Sequence, residues 1–262
     1  GIPAAYINSS ISQEEFYHSM QMLQQGQCRI LYVAPERLMT ESLLRLAQRV
    51  QISMIAVDEA HCVSQWGQDF RQSYLDIPVF MEQLPVRPVC TAFTATATKQ
   101  VEADIARILK LRDPETIHTG FDRKNLFFGV RRPNSKMTEL FHLLKENDGK
   151  SGIVYCSTRK NVEKVTELLK DHGISAARYH AGLEEEERRE GQTAFLYDKV
   201  KVMVATNAFG MGIDKPNVRF VIHYNMPKDL ESYYQEAGRA GRDGLPSRCI
   251  LLYSGTDVRT IR

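Results

Sequence analysis

Short apolar runs alternate along this chain with longer stretches whose apolar residues recur at helical spacing. Short runs of this kind predict buried strands, and the longer stretches predict amphipathic helices. Regular alternation of the two is typical of α/β proteins with parallel sheets, which is the fold class predicted here. The predicted strands are residues 29–33, 54–57, 87–93, 152–156, 176–179, 201–205, 219–224 and 248–253.

Capping residues predict where several of the helices begin and end. Ser12 and Glu15 have the spacing of a capping box, and Gly26 is placed to end the helix that follows. Pro35 suits the first turn of a helix that the apolar pattern continues to residue 50. Thr98 is placed to cap another helix. Further helices are predicted at 136–147, at 158–171 and from the acidic run 184–187.

Between residues 111 and 135 the pattern loosens, and we predict a domain boundary near Thr119. The two predicted domains are residues 1–119 and 120–262, and the length suits two ordinary cores. This stretch also holds a basic cluster, which is either a phosphate-facing hinge or a solvated linker. The cluster comprises Arg123, Lys124, Arg131 and Arg132.

Composition excludes several classes of protein. A net charge of +2 and 25% charged residues are ordinary for a globular protein and indicate no charged partner. No apolar run reaches membrane-spanning length and no segment resembles a secretion signal, so we expect no membrane partner. The five cysteines show no C-x-x-C spacing, which predicts reduced, buried thiols and no zinc site.

Two adjacent carboxylates, Asp58 and Glu59, follow the predicted strand 54–57. The carboxyl ends of strands are where α/β sheets place ligands. Asp58 is therefore a candidate ligand for Mg²⁺, and Glu59 is placed to orient and deprotonate an attacking water. The alternative is a solvated acidic pair at the end of a strand.

The loop after this pair contains the only Trp of the chain. Trp66 and Phe70 lie beside Gln65 and Arg71, a combination that suits single-stranded nucleic acid because bases stack on rings. Gly67 disfavours a continuous helix there. The alternative is that Trp66 caps a core.

In the second half, Arg239 and Arg242 are three residues apart, which would place both on one face of a helical turn. Two guanidinium groups aimed at one point suit a triphosphate. The alternative is a flexible loop or a nonspecific nucleic-acid patch. Gly210 and Gly212 predict a tight turn near a ligand or only a turn.

Other candidates are less specific. Ser157 and Thr158 lie at a predicted helix N-terminus, which suits an anion or simple capping. His180 follows a strand, where a structural histidine is the usual interpretation. The Gly149–Ser151 stretch mimics a P-loop, but it lacks the first glycine and precedes a strand.

Together these motifs resemble the RecQ family of superfamily 2 DNA helicases. The sequence at 58–61 matches the DEAH (Walker B) box, and the sequence at 62–74 matches the aromatic-rich loop that separates RecQ from other DEAD and DEAH helicases. Motif III is matched at 94–98, motif V at 205–214 and motif VI at 235–244. Ser157 to Arg159 resemble motif IV. The resemblance implies two tandem RecA-like domains with mostly parallel sheets, the first truncated at its N-terminus.

The resemblance also implies a role for each matching residue. It implies nucleotide contacts from Asp58, which would hold Mg²⁺, and from Glu59, Gly212, Asp214, Arg239 and Arg242, with Arg242 as the arginine finger. It implies DNA contacts from Gln65, Trp66, Phe70, Arg71, Ser157, Thr158, Arg159, His180 and Thr206. It implies coupling between the two sites through His61, Thr94, Thr96 and Gln235.

By the same resemblance, the parent would be a monomeric bacterial enzyme in the cytoplasm, associated with the nucleoid. It would use ATP and Mg²⁺ to move 3′ to 5′ on single-stranded and forked DNA, in recombination and repair. The family's P-loop does not occur in these 262 residues, so we expect an internal segment with weak or no hydrolysis of its own. A non-enzymatic nucleic-acid-binding module and an RNA-directed helicase are the alternatives.

Overall fold

The structure, a computed structural model, describes residues 1–8, 11–67, 69–95, 97–118, 122–210, 213–255 and 257. The chain forms two units, Gly1–His118 and Thr119–Arg262. Both are built from strands and helices that alternate, and every strand pairing is parallel, which confirms the predicted α/β class. None of the described helices is long and apolar enough to cross a membrane.

The first unit contains two pairs of parallel strands. Strands β1 (Ala4–Ile7) and β2 (Ile30–Val33) form one pair, and β3 (Met54–Val57) and β4 (Val89–Ala92) form the other. The helices of this unit are α1 (Gln13–Gln24), α2 (Glu41–Ala47), α3 (Asp76–Glu82) and α4 (Lys99–Ile108). They pack against the inward-facing strand residues in two apolar clusters.

The apolar run 54–57 predicts a strand that is buried on both faces. The structure shows that β3 is buried on one face only. Val57 is buried, but Met54 and its neighbour Val89 on β4 are 58% and 62% exposed. On the other strand pair, Tyr6 and Tyr32 lie directly opposite each other and are also exposed. The described helices therefore cover one face of these strands, and apolar composition alone could not show which face is covered.

Capping chemistry predicted the helix ends better than the apolar pattern did. The Ser12–Glu15 capping box is present, with Glu15 N donating to Ser12 Oγ at 3.2 Å. The single helix predicted from Pro35 to residue 50 is wrong. A 3₁₀ turn at Pro35–Arg37 is separated from α2 by Thr40, whose extended backbone starts a new helix.

The second unit is one six-stranded parallel sheet in the order β5-β10-β9-β6-β8-β7. Its strands are β5 (Leu126–Arg131), β6 (Ser151–Tyr155), β7 (Ala176–Tyr179), β8 (Val202–Ala205), β9 (Val218–His223) and β10 (Ser247–Leu252). Its helices are α5 (Lys136–Glu146), α6 (Arg159–Asp171), α7 (Glu185–Leu196) and α8 (Leu230–Ala237). Strands β6 and β8 are buried along their whole length, so the core lies on both faces of the sheet centre.

Edge strand β5 lies within residues 111–135, where the sequence pattern predicted no strand. Its residues Phe127, Phe128 and Val130 are exposed, so they do not form the continuous buried run that marks the central strands. The prediction that a strand follows Gly149 is confirmed, because β6 begins at Ser151.

Asp198, which lies between α7 and β8, contacts the first residue of β6 and gives the stability of the second unit a pH dependence. Asp198 accepts from Ser151 Oγ at 2.7 Å and lies 3.1 Å from Lys215 Nζ. The Ser151 hydrogen bond, followed by those from the lysines, lowers the pKa of Asp198. A lowered pKa contributes stability above the unfolded-state value of about 3.9, and this contribution is lost as the pH falls through the folded-state value.

We expect Asp198→Asn to lower the unfolding temperature at pH 7 and to flatten its fall between about pH 4 and pH 2. Asparagine tolerates the left-handed backbone of this position (φ 59°), so the change isolates the charge. Asp148→Asn, at an exposed position, is the control. Thermal unfolding against pH is the measurement, and parallel wild-type and Asp198→Asn curves would contradict the assignment.

Candidate nucleotide and nucleic-acid sites

Asp58 and Glu59, here called the acidic corner, lie directly after β3. Asp58 is exposed, and its Oδ1 accepts from Glu59 N at 2.9 Å. Glu59 has a left-handed backbone (φ 49°), which is uncommon outside glycine and turns the chain sharply at the strand end. The backbone is fixed on both sides, since Tyr74 Oη donates to Asp58 O and Ala60 N donates to Phe93 O.

The two carboxylates of the acidic corner have different surroundings. Glu59 Oε2 is buried, makes no hydrogen bond within the described residues, and lies 3.4 Å from His61 Nδ1. A buried carboxylate oxygen without a donor is costly unless a water or other ligand completes it. The exposed Asp58 carboxylate is a suitable oxygen ligand for Mg²⁺. The acidic corner therefore fits a hydrated Mg²⁺, with Asp58 as ligand and Glu59 facing a water.

His61 connects the acidic corner to the segment after β4. Its Nδ1 lies 2.9 Å from Thr94 Oγ1, and its side chain is almost fully buried. A hydrogen bond at this distance joins the ends of two neighbouring strands, the arrangement expected of coupling residues. Thr96, the other predicted coupling threonine, lies outside the described residues.

The aromatic loop, residues 62–74, presents the rings of Trp66 and Phe70 to solvent, whereas Tyr74 is buried. Trp66 is 76% exposed, so the interpretation that it caps a core is wrong. Phe70 is 38% exposed, Gln65 is also at the surface, and Arg71 donates to Asp69. Two exposed aromatic rings on one loop, beside a glutamine and an arginine, form a candidate contact surface for nucleic-acid bases.

Gly67 packs this loop closely against the backbone of His61. A Cβ on Gly67 would lie 2.3 Å from the backbone oxygen of His61, a separation that no side chain tolerates. The backbone beside Trp66 is therefore in close contact with the backbone of residues 58–61. A displacement of the loop backbone would require the backbone at His61 to move as well.

Ser64 and Asp104 form a second support for the loop, one that sequence analysis missed. Ser64 is fully buried and donates from Oγ to Asp104 Oδ2 at 2.7 Å, and it accepts from Trp66 N at 3.1 Å. The Arg107 hydrogen bond, with that of Ser64, lowers the pKa of Asp104. The partners are far apart in sequence, so no local pattern could have shown the contact.

In the second unit, the two candidate arginines lie on residues 238–243, here called the arginine turn. The predicted placement on one helical face is wrong, because α8 ends at Ala237 and Gly241 adopts φ 55°. Arg239 donates from Nη1 to Gly210 O, and Arg242 Nη1 lies 3.3 Å from Asp214 Oδ1. Both side chains still reach the same segment, the one that follows β8.

Arg239 is engaged within its own unit. A Cβ on Gly210 would lie 2.2 Å from Arg239 Nη2, so a side chain at this position would displace the guanidinium group. Arg239 Nε is buried and has no hydrogen-bond partner in the described part of the chain. Arg242 and Asp214 are more open, with 40% and 86% of their side chains exposed. Gly212 lies outside the described residues.

A buried pair behind the arginine turn was also missed from sequence. His223, at the end of β9, lies with Nε2 2.8 Å from Glu236 Oε2 on α8. His223 also stacks on Tyr155, whose Oη donates to Phe209 O at 2.9 Å and whose pKa is raised by burial. Neighbouring Gln235, a predicted coupling residue, is partly exposed.

The predicted DNA contacts of this unit lie at the carboxyl ends of the adjacent strands β6, β8 and β7. Ser157, Thr158 and Arg159 are exposed after β6, where Thr158 caps α6 by accepting from Asn161 N at 3.1 Å. Thr206, after β8, is buried, and its Oγ1 accepts from Ala208 N. The exposed trio suits a phosphate better than Thr206 does.

His180 is the structural histidine of the alternative interpretation, and its direct contact with DNA is not supported. It is 5% exposed, its Nε2 lies 2.6 Å from Glu163 Oε1, and its Nδ1 accepts from Gly182 N. Both ring nitrogens are thus occupied inside the unit. The histidine accepts a hydrogen bond from the backbone of Gly182, and the side chain of Arg159 packs next to this glycine.

Comparison with known proteins identifies two helicase families in the chain. Residues 3–104 match the family described as DEAD/DEAH box helicase, and residues 135–244 match the helicase conserved C-terminal domain. The chain is similar to the ATP-dependent DNA helicase RecQ of Bacillus subtilis, with 48% identity over 100% of this chain and 44% of that protein. The RecQ of Pasteurella multocida is 45% identical over 98% of this chain and 40% of that protein.

Two solved structures share the fold at low sequence identity. Mycobacterium smegmatis Lhr bound to ssDNA and AMP-PNP gives a TM-score of 0.74 at 20% identity, covering 100% of this chain and 36% of that chain. Saccharomyces cerevisiae Dbp5 bound to RNA and ADP BeF3 gives 0.73 at 21%, covering 99% of this chain and 66% of that chain. These likenesses confirm RecA-like helicase domains and carry nothing beyond the fold.

The fold and the two family matches define the class, and the chain belongs to the DEAD/DEAH box helicases. Within that class it belongs to the RecQ family, as the aromatic loop had indicated. The chain spans less than half the length of the two bacterial relatives that it matches.

Proposed function

We propose that this chain is the part of an ATP-dependent RecQ-type DNA helicase that couples Mg-ATP hydrolysis to movement along single-stranded DNA. One observation carries the proposal: the exposed Trp66 lies on a loop whose Gly67 is packed against the backbone of His61, two residues after Glu59 of the acidic corner. A base stacked on that ring would shift the residues that face the nucleotide.

Each group has a defined task in this proposal. Bound Mg-ATP supplies the cleavable phosphate and a metal charge that neutralises it. Asp58 holds the metal, and Glu59 orients the attacking water and accepts its proton. Arg242, with Arg239 behind it, stabilises the charge that develops on the phosphate. We also assign nucleotide contacts to Gly212 and Asp214, and the coupling of DNA binding to hydrolysis to His61, Thr94, Thr96 and Gln235.

The DNA is contacted by the aromatic loop and by the strand ends of the second unit. Trp66 and Phe70 stack on bases, and Gln65 and Arg71 contact the strand beside them. Ser157, Thr158 and Arg159 hold phosphate, with Thr206 nearby. Following the resemblance of the sequence motifs to the RecQ family, we also propose a monomer that moves 3′ to 5′ on single-stranded and forked DNA, in recombination and repair at the nucleoid of a bacterial cell.

Hydrolysis requires a phosphate-cradling loop that these 262 residues do not contain. We therefore expect single-stranded DNA to stimulate ATP hydrolysis by the full-length gene product and not by residues 1–262 alone. Steady-state hydrolysis with and without an oligonucleotide decides this. DNA binding by the full-length protein without any ATP hydrolysis would instead establish a non-enzymatic nucleic-acid-binding module.

An RNA-directed helicase is the second candidate, because one relative, 40% identical over 98% of this chain, is named a putative ATP-dependent RNA helicase of Acanthamoeba polyphaga mimivirus. Competition between DNA and RNA strands of one sequence separates the two candidates. We expect the DNA strand to displace the RNA strand, and stronger retention of RNA would reverse the assignment.

We expect Trp66→Ala to weaken single-stranded DNA binding by roughly 5–150-fold, because stacking on an aromatic ring contributes about 1–3 kcal/mol per base. Unfolding temperature should stay unchanged, since the ring is exposed. Tyr17→Ala, which removes another exposed ring of the first unit, is the matched control. Fluorescence anisotropy of a labelled oligonucleotide measures the effect, and equal affinities for the two variants would refute it.

A further inference from the structure

Arg123 holds the backbone of the arginine turn. Its Nη1 donates to Gly238 O at 3.1 Å, and its Nη2 donates to Ala240 O at 2.9 Å and to Gly241 O at 2.7 Å. These carbonyls follow the end of α8, where helix carbonyls lack intrahelical partners and carry partial negative charge. The guanidinium fork is thus a charged cap on the turn that carries Arg239 and Arg242.

Asn125 reinforces the same turn. Its Nδ2 donates to Gly241 O at 2.8 Å and to Leu245 O at 3.0 Å. A Cβ on Gly241 would lie 2.5 Å from this amide nitrogen, and Gly241 also has a positive φ of 55°. The glycine is therefore required both by its backbone conformation and by the close approach of Asn125.

Few side-chain contacts among the described residues fix the position of the Arg242 guanidinium group. Its side chain pairs only with Asp214 among the described residues, at 3.3 Å, and that carboxylate is 86% exposed. Exposed ion pairs of this kind contribute about 0–1 kcal/mol and hold a side chain loosely. Arg239 is different, because it is packed against Gly210. The direction of Arg242 consequently depends on its backbone, which is the part that Arg123 holds.

This arrangement separates Arg123 from the rest of the basic cluster. Lys124 is exposed beside it, whereas the Arg123 fork is partly buried and bonded to three carbonyls. Arg123 is therefore neither the phosphate-facing hinge nor the solvated linker residue that the cluster had suggested. A lysine could not replace it fully, since one ammonium cannot copy a planar fork.

We infer that Arg123 is a positioning residue for Arg242: it fixes the turn from which Arg242 reaches the nucleotide phosphate. The inference rests on the proposed function for its consequence in catalysis, but not for the contact itself. A displacement of about 1 Å in a catalytic group can cost about 10²-fold in rate. Arg123 shares the second unit with the turn, so the effect needs no change in the other unit.

The test uses the full-length protein with Arg123→Ala, Arg123→Lys, Arg242→Ala, the Arg123→Ala/Arg242→Ala double variant, and Lys124→Ala as the matched charge control. We expect Arg123→Ala to lower kcat about 10²-fold while KM for ATP and DNA affinity change less than about twofold. Arg123→Lys should recover part of the rate. The double variant should be no slower than Arg242→Ala, because Arg123 acts through Arg242.

Amide hydrogen exchange of residues 238–243 supplies a readout that is independent of activity. Exchange should be faster in Arg123→Ala and unchanged in Lys124→Ala. A wild-type kcat in Arg123→Ala, rate losses that multiply in the double variant, or unaltered exchange would each overturn the inference. If Arg123→Ala does not fold, Arg123→Lys is judged by the same criteria. If the wild type hydrolyses no ATP, the proposed function fails and exchange alone decides whether Arg123 holds the turn.

Discussion

Replacing Arg242 with alanine is expected to abolish DNA-stimulated ATP hydrolysis, with kcat falling by about 10³–10⁵-fold, the range of an arginine finger. The reason is electrostatic, because a guanidinium aimed at the phosphate stabilises charge that develops only in the transition state. ATP affinity should change little for the same reason. The stability cost should also be small, since Arg242 is 40% exposed and bonded only to an open carboxylate among the described residues.

Arg189→Ala is the matched control for this change. Arg189 is 74% exposed in an ion pair with Glu186 on α7, so its removal takes one guanidinium from the same unit away from the arginine turn. Steady-state hydrolysis at saturating DNA compares the two. A rate for Arg242→Ala within about tenfold of the Arg189→Ala rate would rule out a finger role.

Glu59→Gln is expected to produce a protein that binds ATP and holds it unhydrolysed. Removal of a general base lowers kcat by about 10²–10⁴-fold, while the amide keeps the shape of the side chain. The buried Oε2 of Glu59, which has no hydrogen-bond partner among the described residues, is the atom that this prediction concerns. Because the nucleotide-bound protein accumulates, its affinity for single-stranded DNA should remain that of the ATP-bound state and should no longer change with successive rounds of hydrolysis.

Glu41→Gln, an exposed carboxylate in an ion pair with Arg45, controls for the loss of charge. A single-turnover assay with labelled ATP separates binding from cleavage. Wild-type cleavage in Glu59→Gln would show that another group activates the water, and loss of ATP binding would show that Glu59 holds the nucleotide instead.

Local chemistry explains what could be predicted from the sequence. The capping box at Ser12 and the strand that ends at Val57 depend on neighbouring residues, so their patterns appear in the sequence. The apolar face of α6 was found in the same way, since Val162, Val165 and Leu169 recur at helical spacing and are buried.

The rest depends on contacts between distant residues. Three contacts join residues from separate elements, and no periodic pattern in the sequence indicates them. They are the hydrogen bonds from Arg123 to the arginine turn, the Ser64–Asp104 hydrogen bond and the His223–Glu236 pair. The arginine turn was placed on a helix because spacing alone cannot show that Gly241 adopts a positive φ. Exposure of one strand face in the first unit was hidden for a similar reason, because an apolar run does not show which side is covered.

The central proposal is that Glu59 and Arg242 both serve the hydrolysis of bound ATP. Its most direct test is a double-mutant cycle in the full-length protein, with kcat measured for Glu59→Gln, Arg242→Ala and the combined variant. If both groups serve one transition state, the combined variant should be about as slow as the slower single variant, because groups that act as a unit are strongly non-additive. Rate losses that multiply, or a wild-type rate in either single variant, would contradict the account.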